Sequence, residues 1–226
     1  PVVESILYNL KGNLFRALKD YGQAKIHLEQ SIILNPEFVT PYIALANIFK
    51  IENNQKKEIA IYETLIQKRG DQPAAHDRLG VLYEKMGDFT RSEAHYQKAL
   101  EINADYIPSM NNLAYFYAQQ NRDLNKALTL AQRAKEKAES NPYIADTLGW
   151  VYYKKGIYES ALIEFKSCVE NHPDNPVFQF HVGLAYHKLG ELNNAKAAFR
   201  TALDLAPNFD GSIEAKKLLK QLKGNS

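Results

Sequence analysis

The chain has 226 residues, 45% of them hydrophobic and 24% charged, with 28 Lys and Arg against 26 Asp and Glu and a formal net charge of +2. That balance offers no global attraction to nucleic acid or to an anionic membrane, and no apolar run reaches the roughly 18 residues a bilayer-spanning helix needs. A lone cysteine, Cys168, rules out an intrachain disulfide and a multi-cysteine metal site.

In chain order, the same short unit recurs. A small residue stands three before an aromatic at Gly12/Phe15, Ala46/Phe49, Gly80/Tyr83, Ala114/Tyr117, Gly149/Tyr152 and Gly183/Tyr186, at spacings of 34, 34, 34, 35 and 34 residues. Three residues apart is one face of a helix. In most units a second helix (helix B) follows this first one (helix A) with its own small–large–small stripe: Ala24/Leu28/Ser31, Ser92/Tyr96/Ala99, Ala127/Ala131/Ala134, Ala161/Phe165/Cys168 and Ala195/Phe199/Ala202. Pro36, Pro173 and Pro207 stop helix B. Pro41, Pro73, Pro108, Pro142 and Pro176 open helix A, where a missing N–H does no harm. The repeats predicted from these landmarks run approximately over 5–38, 39–72, 73–106, 107–141, 142–175 and 176–209.

Glycine inside a helix costs about 1 kcal/mol relative to alanine. Its use at Gly12, Gly80, Gly149 and Gly183 therefore implies a close approach by the paired helix, and Cys168 in a small apolar slot reads as a packed core thiol. Two repeats depart from the pattern. The second has Glu58 and Leu65 in the small slots and a wholly polar turn, Asn53 to Lys57, so it is expected to be the least regular joint. The fourth holds the extra residue, expected in the turn Asn121-Arg122-Asp123, and has Ala131 where its neighbours have a larger side chain. Beyond Pro207, residues 212–222 read as a last helix capped by Ser212, with Ile213, Lys217, Leu218, Leu219 and Leu222 as its packing edge. Such a helix closes the open end of a stack.

The 34-residue period and the Leu-Gly-x-x-Tyr, Ala-Phe-Cys/Ala and Pro landmarks resemble the tetratricopeptide repeat family, over essentially the whole chain. The resemblance implies an all-α, right-handed superhelical solenoid forming a single domain over 1–226, with a C-terminal capping helix. It further implies that helix A lines a concave groove for a peptide or protein. Pro1 lies about where the final Pro of a preceding unit would lie, which suggests a chain cut from a longer array.

No phosphate-binding loop, dinucleotide fingerprint, H-E-x-x-H or G-x-S-x-G occurs, and the six His are scattered over different helices. His181 and His187, six apart on one helix, point in different directions. The expectation is a non-catalytic scaffold or adaptor that uses no cofactor and no metal, binds protein or peptide and does not bind nucleic acid. The groove candidates are Asn47, Arg78, Asn111, Asn112, Tyr115, Asp146, Trp150, Tyr153 and His181, aromatics interleaved with amide and acid groups.

Two binding modes of the family fit poorly. The carboxylate clamp for chaperone tails needs Lys where this chain has Asn9 and Ala74, beside Asn13 and Arg78, and of the asparagine ladder only Asn112 is present. The pairing of Asn111-Asn112-Leu113-Ala114-Tyr115 with Asp146-Thr147-Leu148-Gly149-Trp150-Val151-Tyr152 resembles bacterial repeat proteins of the cell envelope, among them those of exopolysaccharide systems. That favours an envelope assembly or secretion role in the periplasm over the cytoplasm. A targeting domain excised from a larger enzyme, and a scaffold self-associating through its N-terminal end, stand as alternatives.

Overall fold

Gly149 is separated from the helix behind it by almost nothing: a methyl group placed there would lie 2.6 Å from Cε1 and 2.7 Å from Cδ1 of Phe165. The same contact recurs at Gly12 against Leu28 (2.6 Å), Gly80 against Tyr96 (2.5 Å) and Gly183 against Phe199 (2.5 Å). In each, the small slot of helix A receives the large side chain of helix B, and all four large side chains are buried. The fourth repeat makes the opposite choice. Ala114 and Ala131 are both fully buried there, so a slightly larger residue in helix A accompanies a much smaller one in helix B.

The computed structural model describes residues 1–224. Among these are thirteen helices and no strand. Six pairs follow one another: α1 (Val2–Ala17) with α2 (Tyr21–Leu34), α3 (Val39–Ile51) with α4 (Gln55–Lys68), α5 (Pro73–Lys85) with α6 (Phe89–Ile102), α7 (Ile107–Gln119) with α8 (Leu124–Lys137), α9 (Pro142–Lys154) with α10 (Tyr158–Asn171), and α11 (Pro176–Lys188) with α12 (Leu192–Leu205). The last helix is α13 (Ser212–Gly224). By their internal contacts the residues form two compact units, Pro1–Ser109 and Met110–Ser226, each a stack of helix pairs.

Turn chemistry fixes the pairs. Five of the A-to-B turns have three residues, and the middle one takes a left-handed conformation: Lys19 (φ 62), Asn53 (φ 54), Gly87 (φ 76), Gly156 (φ 78) and Gly190 (φ 79). The turn between α7 and α8 has four, Gln120 to Asp123, and there both Asn121 (φ 50) and Asp123 (φ 48) are left-handed. The extra residue is therefore in the expected turn. It is accommodated at two asparagine-or-aspartate positions, which tolerate this region better than bulkier residues. Asp20, Asn54 and Asp88 then cap helix B by accepting from the backbone N–H of Gln23, Lys57 and Arg91. Asn141 and Asn175 cap α9 and α11 ahead of a proline in the first turn. Pro41 and Pro108 differ slightly from expectation, since α3 and α7 begin at Val39 and Ile107, just before them.

The last slot of helix B also has a shared task. Ser31 Oγ donates to the Ser5 carbonyl at 2.8 Å, and at the equivalent place Cys168 Sγ donates to the Pro142 carbonyl at 3.2 Å. Cys168 is 1% exposed, and burial, with Asp146 and Glu164 adding to it, raises its thiol to about 12. It is a packing group, as its slot implied.

The second repeat is not a loose joint. Glu58, in place of a small residue, is buried and accepts from Arg78 Nη2 of the next pair at 3.2 Å, and Gln55 Nε2 donates to the Leu82 carbonyl at 3.0 Å. Leu65 is buried in a cluster with Tyr42, Tyr62, Leu79 and Tyr83. The irregular residues thus tie the second pair to the third. In α13 the expected edge is half right. Ala215 and Leu222 are buried against Phe180, Leu184 and Phe199, with Leu218 and Leu219 packed beside them, whereas Ile213 is 84% exposed and Lys217 is exposed. The buried Ser212, Ala215 and Leu222 and the partly buried Leu219 follow the helical period, and Ile213 falls outside it.

Within unit 1, His76 of α5 and His95 of α6 place their Nδ1 atoms 3.0 Å apart, so one ring donates and the other accepts while both are neutral. Burial, then the neighbouring His95 and Lys98, lowers His76 to about 4 despite Glu101; burial also lowers His95, with Arg91 assisting and Glu63 opposing.

Two outcomes follow from this packing. Gly149→Ala should cost about 1–3 kcal/mol of overpacking against Phe165, a fall of roughly 3–10 °C in Tm, and Gly149→Leu should abolish cooperative unfolding. A Gly149→Ala/Phe165→Leu double variant should recover part of the loss, and unchanged thermal melts for the single variants would refute the close-approach argument. The histidine pair is favoured in its neutral form, so its contribution is complete above the unfolded pKa near 6.5 and is lost as pH falls toward 4. Urea midpoints should drop between pH 7 and pH 4 by the equivalent of about 2–3 kcal/mol, and His76→Phe should flatten that dependence.

Candidate interaction clefts

Helix A residues line a cleft in each unit. In unit 2, α7 contributes Asn111, Tyr115 and Gln119 at successive turns, α9 contributes Tyr143, Asp146, Thr147 and Trp150, and α11 contributes Val177, Phe180 and His181. Asp210, Gly211 and Glu214, from the turn into α13 and its first residues, complete a cleft of about 400 Å3. Tyr143 is 65% exposed at its rim, and Gln119 Nε2 donates to the Tyr115 hydroxyl.

A strut lies beneath this surface. His181 Nδ1 is 2.7 Å from Asp146 Oδ1, with both side chains largely covered, so α9 and α11 are joined directly. The imidazole also stacks on Trp150 (5.0 Å between centroids, 25°) and meets Phe165 (5.1 Å) and Phe180 (5.9 Å). Trp150 stacks in turn on Tyr153 (5.3 Å, 10°), and Lys154 Nζ lies 4.9 Å from the indole centroid. Burial, then Glu214 and Tyr158, raises the Tyr153 phenol to about 12. A related strut exists in unit 1. Asp77, in the same register as Asp146, accepts from Ser109 Oγ at 2.8 Å. Two polar atoms on residues lining the unit 2 cleft, Asn111 Oδ1 and Trp150 Nε1, are buried without a hydrogen-bond partner.

The unit 1 cleft, about 290 Å3, is lined by Ile43, Asn47 and Lys50 of α3, Tyr62 of α4, and Ala74, Ala75 and Arg78 of α5. The arginine is held by Glu58, and Lys50 is exposed at the cleft.

Of the nine residues singled out from sequence, Asn47 and Arg78 line one cleft, and Asn111, Tyr115, Asp146, Trp150 and His181 line the other. Asn112 lines neither, and Tyr153 supports Trp150 from beside the cleft. Of the six positions two before the small slot, Ala44, Thr147 and His181 are 5–8% exposed, because that face of helix A meets the preceding pair there. His181 and Asp146 are therefore engaged with each other instead of standing free. Tyr143 and Gln119 were missed although they extend the periods Tyr143/Thr147/Trp150 and Asn111/Tyr115/Gln119 by one turn. Asp210 and Glu214 follow the last repeat, where the 34-residue register says nothing.

Sequence profiles described as tetratricopeptide repeat match residues 6–38, 74–106, 147–175 and 178–209, together more than half of the chain. The chain belongs to the tetratricopeptide repeat family. The profiles leave out the second and fourth repeats, which are the two with altered slots. Among curated proteins, the chain is 22% identical over 200 residues to the anaphase-promoting complex subunit CDC16 of Saccharomyces cerevisiae, covering 86% of this chain and 24% of that protein. It is 25% identical over 173 residues to cellulose synthase operon protein C of Xanthomonas axonopodis pv. citri, covering 73% and 11%.

Among solved structures it resembles the APC/C hetero-tetramer Cut9–Hcn1 (TM-score 0.79, 18% identity, 97% of this chain and 43% of that one). It also resembles YrrB, described as a tetratricopeptide protein with an unusual peptide-binding site (TM-score 0.64, 22% identity, 84% and 97%). The tetratricopeptide array is all-α and is an interaction scaffold by family. This chain spans well under two thirds of the length of either curated relative. No helix among the described residues is long and apolar enough to cross a membrane, and no group of three or more His, Cys, Asp or Glu there is placed to hold a metal ion.

Proposed function

We propose that this chain is a non-catalytic adaptor that holds an extended peptide or protein segment in its helix A clefts, above all in that of unit 2. The observation that carries this reading is the convergence of α7, α9 and α11 on one cleft whose wall is aromatic and whose polar groups are mostly amide and carboxylate. Aromatic rings flanked by a few directed polar groups are what a binding surface uses to anchor a chain while excluding water. The Asp146–His181 strut gives that wall a fixed geometry, which lowers the ordering cost of binding. Similarity to the cellulose synthase operon protein, together with the Asn111–Tyr115 and Asp146–Tyr152 segments, supports a bacterial envelope assembly or secretion setting. A solved neighbour described by its peptide-binding site supports the mode.

The test is affinity capture from extract of the source cell, with wild type beside a Tyr115→Ala/Tyr143→Ala variant of unchanged circular dichroism. A partner depleted at least about tenfold by the variant is expected. Partners retained equally would move the interface off the cleft.

A second reading rests on α1. Leu7, Leu10 and Leu14 are 51–59% exposed in a stripe along that helix. Their register equivalents in α3 and α11 (Ala44 and Ile48; Phe178 and Ala185) are at most 6% exposed and pack on the preceding helix B. The stripe is thus shaped to receive a helix, either the helix B of a preceding repeat or a helix of a second copy of the chain, and this reading takes the second copy. Light scattering should then show mass rising with concentration and reverting to the monomer in Leu10→Lys/Leu14→Lys. A wild type that stays monomeric throughout would end this reading.

A further inference from the structure

The two clefts differ in sign. The unit 1 cleft is lined by Lys50 and Arg78 and by no carboxylate. The unit 2 cleft is lined by Asp146, Asp210 and Glu214 and by no lysine or arginine. Asp146 is committed to His181. Asp210 and Glu214 are exposed, and neither is in a salt bridge among the described residues. Two carboxylates without an ionic partner therefore stand at the edge of a wall made of tyrosine and tryptophan. The same cleft also carries a buried acceptor with no donor, Asn111 Oδ1, and a buried donor with no acceptor, Trp150 Nε1. A buried polar atom left unpaired is costly, so a ligand toward which either side chain turns gains by pairing it. Lys154 Nζ over the indole shows that this ring already attracts a cation from its own helix.

Resting on the peptide-binding reading above, we propose that the unit 2 cleft selects an arginine side chain of an extended peptide, with the guanidinium held by Asp210 and Glu214 against the aromatic wall. Arginine suits the site better than lysine. Its planar head stacks on aromatic faces and presents N–H groups in a fork that matches carboxylates and an amide oxygen together. A lysine ammonium offers one point charge and no stacking face. An acidic segment is repelled by the same pair, so the cleft discriminates by sign as well as by shape.

Trp150 is the only tryptophan in the chain, so its emission reports on this cleft alone. The experiment selects a random peptide library displayed on phage against the immobilised chain, then sorts clones by loss of binding to Tyr115→Ala/Tyr143→Ala. Tryptophan-free clones are synthesised with arginine or its neutral isostere citrulline and titrated by Trp150 fluorescence. The expected result is that cleft-dependent clones carry arginine. Citrulline should weaken them about tenfold or more, and Asp210→Asn/Glu214→Gln should weaken the arginine peptide similarly while leaving the citrulline peptide unchanged. Affinity should also fall with added salt.

Cleft-dependent clones that lack arginine, or that bind Asp210→Asn/Glu214→Gln as well as wild type, would overturn the arginine assignment and leave the peptide cleft standing. Clones that all ignore Tyr115→Ala/Tyr143→Ala would overturn both. The substituted carboxylates are exposed, so loss of the fold is not the expected cause of weaker binding, and circular dichroism of each variant checks it.

Discussion

Four of the six pairs depend on one contact, the seating of a large helix B side chain on the bare backbone of helix A. Phe165 on Gly149 and Phe199 on Gly183 show its form, and Tyr96 on Gly80 shows that a phenol serves as well. The contact sets how closely the two helices of a pair approach, and the fixed turn sets their register. A helix pair of this size buries too little alone to be stable, so each pair must also offer a face to the next. The shared buried clusters along each unit are the result.

That constraint explains which parts of the fold were legible. The small slot, the large slot and the turn each demand a residue type, so a period of 34 residues carries the helix order, the pair boundaries and the site of the inserted residue. The packing edge of α13 departs furthest from expectation, beside the well-tied second repeat and the slightly earlier starts of α3 and α7. That helix follows the last repeat, and its packing edge was inferred from apolar residues alone. Ile213 is apolar yet faces outward, while Ser212 and Ala215, which gave no hydrophobic signal, face inward.

The clefts were less legible, for a physical reason. A register position says which face of helix A a residue occupies, but not whether the neighbouring pair covers it. His181, a groove candidate by sequence, sits in a slot that is nearly closed, as Thr147 does one repeat earlier, while Trp150 is only partly covered. Polar residues in such a position have two uses that sequence does not separate. Asp77 and Asp146 hold one helix A to the next, through Ser109 and His181. Asp210 and Glu214, outside any repeat, are the carboxylates left over.

The four-residue turn between α7 and α8 has a consequence of a different kind. It has taken an additional residue while its helices keep the usual lengths, and the closing of a loop becomes only slowly more costly as the loop grows. The stretch from Asn121 to Asp123 is therefore a natural splice point, where an epitope tag or a second recognition module can be carried without changing the phase of the helices on either side.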